Sequence, residues 1–168
     1  LGKKKSFLYY YYPGRHEVIQ AVIQAEFTEM QQHVRQAVSA QKGAVPQLRT
    51  FMMARMESVL KRAADYGATT VSTLLQGVEP GTDFASVLEL RKVFDREEEH
   101  FFADILRRGI QEGAFKPLPN KAIDDISYFV LSALRGVELD LALSQEPPPA
   151  PSPRMTKVLE VFLRGLAT

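Results

Sequence analysis

The 168-residue chain has no cysteine, which excludes a disulfide scaffold and any Cys-based zinc site and fits a reducing cytoplasm. It also lacks an apolar run near the roughly 18 residues of a membrane span. The densest stretch, Ser127 to Leu134, is short and lies between Asp124-Asp125 and Arg135. Net charge is nearly absent: 21 Lys and Arg against 20 Asp and Glu leave +1, too little for the body to bind polyanions generally. No stretch alternates with period two, so strands are not expected, and there is no internal repeat. A nucleophile–base pair, a glycine-rich phosphate loop and a metal signature are missing too, and the three histidines sit in no motif. These absences exclude the common enzyme classes and leave no cofactor to expect. The basic start is no secretory signal, because four tyrosines and Pro13-Gly14 stand where the apolar segment would be. A soluble cytoplasmic protein with one core follows.

What is present is helical spacing almost throughout. Ile19, Ile23, Phe27, Met30, Val34 and Val38 mark one face of a helix from about Arg15 to Gln41, ended by Gly43 and Pro46. Leu48, Met52, Met56, Val59 and Leu60 trace the next, stopped by Gly67. A short helix over about 68–76 precedes the turn Glu79-Pro80-Gly81. A long helix then runs from Phe84 to Glu112, about 45 Å at 1.5 Å per residue. Lys116-Pro117-Leu118-Pro119 forms an extended joint, and Asn120 can cap a helix reaching about Ser144. The proline-rich segment 146–153 is a stiff linker before a last helix, Arg154 to Leu166. With a helix over Lys3–Tyr10, the count is seven, and the fold class is all-α.

The charge that does stand out is local. Lys3, Lys4, Lys5 and Arg15 bring four cations into a short stretch with no acid, around the block Leu8-Tyr9-Tyr10-Tyr11-Tyr12-Pro13. From Gly2 to Val22 the sequence resembles, without gaps, the second half of the helix-turn-helix of the tetracycline-repressor (TetR) family of bacterial transcriptional regulators. Gly2 matches the turn glycine, Lys3 to Tyr9 the recognition helix, and Leu8 to Pro13 the family's Leu-Tyr-x-Tyr-Phe-Pro block. Arg107 to Pro117 and Ile126 to Gly136 resemble the end of the long central helix and the start of the penultimate one. One position departs from the pattern: Phe7 stands where a small hydroxyl residue is more usual. The resemblance implies two further helices ahead of Gly2, so that residues 1–14 carry only the C-terminal part of the DNA-binding head. Residues 15–168 would be the helical ligand-binding and dimerisation domain.

In that reading Lys3, Lys4, Lys5, Ser6, Tyr9, Tyr10 and Arg15 contact double-stranded DNA, the lysines at the groove-facing start of the helix, the tyrosines and Arg15 on phosphate. The helix from Asn120 is apolar on more faces than one body covers. Together with the last helix it supplies a two-fold homodimer interface of Ile126, Val130, Ala133, Leu134, Val137, Leu141, Val158 and Phe162. Met and aromatic side chains beside a charge interruption in the longest helix point to a cavity. Its expected walls are Met52, Met56, Phe94, Phe101 and Tyr128, with Arg91 or Glu98 as polar anchor. Glu97 and Glu98 interrupt the stripe Val87, Leu90, Phe94, Phe101, Ile105. Either they lie just off the buried face, or one points inward and needs a partner such as Arg91.

The resemblance thus implies a repressor, released from its operator by a small, mostly apolar effector that shifts the helix leading from Arg15 into the body. Two other readings remain: a helix-bundle small-molecule carrier with no DNA role, and a di-metal carboxylate enzyme. The second would use Glu97 and His100, whose Glu-x-x-His spacing occurs once where such sites need two copies.

Overall fold

The computed structural model describes residues 15–66, 84–143 and 153–168. The expected head helix, the helix over 68–76 and the linker up to residue 152 lie outside the described residues. Five helices occupy them: α1 (Arg15–Ser39), α2 (Ala44–Tyr66), α3 (Phe84–Gln111), α4 (Asn120–Leu143) and α5 (Pro153–Leu166). Among the described residues there is no strand, only an isolated bridge between Phe115 and Ala167. No described helix is long and apolar enough to cross a membrane.

Each helix buries the stripe its spacing dictates. On α1 the buried residues are Ile23, Phe27, Met30, Val34 and Val38; on α5 they are Leu159, Leu163 and Leu166, all at i+3 or i+4 steps. On α2 the stripe turns by about one residue from the expected one. Leu48, Phe51, Arg55 and Val59 line its centre with Met56 beside them, while Met52 is only partly buried. This helix is the middle of the molecule, packing against all four others.

The start of α2 corrects the sequence reading, which starts the helix at Leu48 and leaves Pro46 outside it. Gly43 takes φ +87°, the left-handed conformation that glycine adopts without penalty. The Ala44 backbone N–H then donates to Glu112 Oε2 at 2.9 Å. A carboxylate at the far end of α3 therefore caps α2. Pro46 sits in the first turn, where its missing N–H has no intrahelical acceptor to lose.

The end of α3 explains how α5 is held. Gly113 (φ +72°) closes the helix, its N–H donating to Ile110 O and that of Ala114 to Gly109 O, the paired bonds of a Schellman cap. The chain then turns back so that the buried Phe115 ring lies on Gly109. A Cβ at that glycine would clash with the ring. The extended segment beyond lets Lys116 N–H donate to Leu166 O at 2.8 Å, tying the last helix to the joint.

Candidate functional site

The expected DNA contacts Lys3, Lys4, Lys5, Ser6, Tyr9 and Tyr10 lie outside the described residues, as do the side chains of Arg15 and Leu141. The expected cavity walls are described, and Met52, Met56, Phe94 and Phe101 lie in or against the one core. Phe94 lies against Phe27 of α1 with ring centres 5.1 Å apart. Phe101 meets Phe51 at 5.9 Å and carries the Arg35 guanidinium over its face at 4.5 Å. Met56 is buried and Met52 borders the same core.

Tyr128 does not join them. It is 55% exposed and pairs edge-on with Phe129 on the outside of α4. The inward stripe of this helix is Ile123, Ser127, Leu131 and Leu134, and one further residue turns Tyr128 through about 100° to the surface. The same azimuth removes Leu134 from the expected dimer face, since it is buried in the protomer's own core. Ile126, Val130 and Phe162 are half-buried against that core. Ala133, Val137 and Val158 are exposed.

The charge interruption in α3 resolves into one buried and one exposed acid. Glu97 is exposed, whereas Glu98 continues the buried stripe. Its partner is Arg55 of α2, with Nε donating to Glu98 Oε1 at 2.7 Å; Arg91 does not reach it. Arg55, 1% exposed, donates from Nη2 to Glu138 Oε2 on α4 at 3.1 Å. The same Glu138 oxygen accepts from Arg91 Nη2 at 2.9 Å, and Arg91 Nε donates to Asp95 at 3.0 Å. Arg135 lies 3.3 Å from Asp95 and 3.5 Å from Glu99, extending the network along the α3–α4 seam. Three arginines and four carboxylates thus join α2, α3 and α4.

Burial is the largest influence on Glu98 and pushes its carboxyl above the usual carboxylate range, with Arg55 pulling the other way. Burial also works against the charged form of Arg55, but Glu98 and Glu138 outweigh it, and its pKa is raised. The sequence reading does not single out Arg55 or Glu138. A signal for Arg55 exists: it is a lone cation in the apolar run Phe51 to Met56. A half-open pocket beside the network is lined by Gln31, Val34, Arg35, Phe51, Glu98 and Phe101. Its volume of about 10 Å³ admits one water. Glu97 and His100 both face outward, and no group of three or more potential metal ligands occurs among the described residues.

Each of the last two helices carries exposed apolar side chains on its outer side. Phe129 is 71% exposed, Val158 68% and Val161 70%. Gly136 and Gly165 lie on the same sides of α4 and α5, where an added Cβ would meet nothing.

No protein-family model matches the chain, and no curated protein does. Solved structures do match. A transcriptional regulator from Cytophaga hutchinsonii superposes with a TM-score of 0.68 and 18% identity, over 98% of this chain and 82% of that one. The TetR family transcriptional regulator PfmR from Thermus thermophilus gives 0.66 and 19%, over 98% and 83%. The ketosteroid transcriptional regulator KstR2 of Mycobacterium tuberculosis gives 0.63 and 16%, over 97% and 78%. The chain therefore has the all-α fold of the TetR-type transcriptional regulators.

Proposed function

We propose that this chain is the body, with part of the DNA-binding head, of a dimeric, ligand-responsive transcriptional repressor. Two copies would join through the outer faces of α4 and α5. The head residues Lys3, Lys4, Lys5, Ser6, Tyr9, Tyr10 and Arg15 would meet operator DNA. A small, mostly apolar effector would bind among α2, α3 and α4, beside Met52, Met56, Phe94 and Phe101 with Arg91 or Glu98 as polar anchor.

The observation that carries the reading is the coincidence of this fold with exposed Phe129 on α4 and exposed Val158 and Val161 on α5. Large apolar side chains this exposed, gathered on one side of a helix, point to a contact surface. Isologous contact of one such surface with itself gives a two-fold dimer. The basic, tyrosine-rich residues 1–14 support the DNA role, since two heads on such a dimer can meet successive major grooves roughly 34–36 Å apart.

The test is selection of genomic fragments by the complete gene product, followed by footprinting at physiological salt. A protected palindrome, lost when an extract-derived or synthetic apolar compound is added, is the expected result. Ligand binding with no DNA retained at any salt concentration would favour the carrier instead.

A further inference from the structure

We infer that Glu138, Arg91 and Phe27 form a mechanical relay through which α4 sets the position of α1. Arg91, on α3, is held at two nitrogens: Nε by Asp95 and Nη2 by Glu138 of α4. A guanidinium is planar, so two such bonds fix its orientation. Its central carbon lies over the Phe27 ring of α1, 4.9 Å from the centroid. Phe27 also rests on Phe94 of α3, and Gln31, one turn further along α1, donates from Nε2 to Phe94 O at 3.3 Å. Around Phe27 the contact of α1 with α3 is thus layered, and one layer is a side chain oriented from α4; Arg35 over Phe101 makes a separate contact about two turns further along.

Glu138 does not simply follow Arg91, because Arg55 Nη2 holds the same carboxylate oxygen from α2, and Arg55 is itself tied to Glu98. A displacement of α4 therefore turns Arg91 and changes the surface on which Phe27 rests. Glu138 acts through Arg91 and is a positioning residue. The regulatory purpose of this linkage rests on the function proposed above, where α1 leads from the head and α4 carries the dimer face. The linkage itself does not, so its test reads α1 directly and needs no DNA.

Amide hydrogen exchange on the full chain would compare wild type with Glu138→Gln, Arg91→Lys and the double variant. Residues 24–35 report α1, and residues 102–109 of α3 report global stability. Each single variant is expected to speed exchange in α1 about tenfold, the scale of a lost charge-assisted bond, beyond any change in α3. The double variant should add little, because both substitutions cut one chain of contacts. Should Glu138→Gln not fold, Glu138→Asp, which withdraws the charge by one methylene, is expected to give the same pattern. Unchanged α1 exchange in the Glu138 variant, equal acceleration in every helix, or full additivity would each overturn the relay. Failure to bind DNA with the exchange pattern intact would overturn only the function.

Discussion

Arg55 of α2 and Glu98 of α3 form a 2.7 Å ion pair with both side chains withdrawn from water. Taking two charges out of water costs several kcal/mol each, so the attraction between them is largely offset. The pair adds little net stability as it stands, yet losing Arg55 strands Glu98, and losing Glu98 leaves the buried Arg55 to Glu138.

That asymmetry makes the first prediction. Glu98→Ala should cost about 3–5 kcal/mol in urea unfolding, as for other buried pairs broken on one side. Arg55→Met with Glu98→Leu should cost clearly less than Glu98→Ala, since Glu138 keeps Arg91. A loss under about 1 kcal/mol for Glu98→Ala would mean that Glu138, or water, satisfies Arg55 without Glu98.

The pH dependence has a definite sign. Because burial raises the folded-state pKa of Glu98, the folded protein binds that proton more tightly than the unfolded chain. Glu98 therefore adds stability at low pH. That contribution falls as pH rises from the unfolded value, about 4.3, through the raised folded value, and is then level. Glutamine does not titrate, so the advantage of wild type over Glu98→Gln should shrink across this window. An advantage that grows with pH in a denaturation series would show that the Arg55 pair outweighs burial.

For the dimer, the exposed and buried positions of α4 and α5 separate assembly from folding. Phe129→Glu or Val161→Glu should give a folded monomer by sedimentation velocity. Leu134→Glu should unfold the protomer, since that side chain is 5% exposed in its own core. Clean dimer from both surface variants would place the interface elsewhere.

Gly109→Ala should destabilise by about 1–3 kcal/mol, the usual cost of forcing atoms into a packed core, because its Cβ would meet the Phe115 ring. Shortening the ring, as in Phe115→Leu, should recover part of the loss in the double variant. Additive losses in urea midpoints would mean that the backbone at Gly109, not the ring, is the constraint.

The sequence alone determined the helical class and, within a few residues, the extent of the five described helices. Those depend on local spacing: apolar residues three and four apart, and glycine or proline where a helix must stop. It also determined that α4 is apolar on several faces. Only the tertiary structure decided which of Glu97 and Glu98 goes inside. Neighbouring residues on a helix differ by about 100°, and the rotation of α3 is set by its packing on α2. The partner of Glu98 lies 43 residues away, and Arg55 and Glu138 are 83 apart. The cap on Ala44 comes from 68 residues away. No local pattern encodes these pairings, because each exists only once the helices have fixed one another's azimuth. Tyr128 shows the same limit, as an aromatic residue on a helix apolar nearly all round can face either way until packing assigns Ser127 to the core.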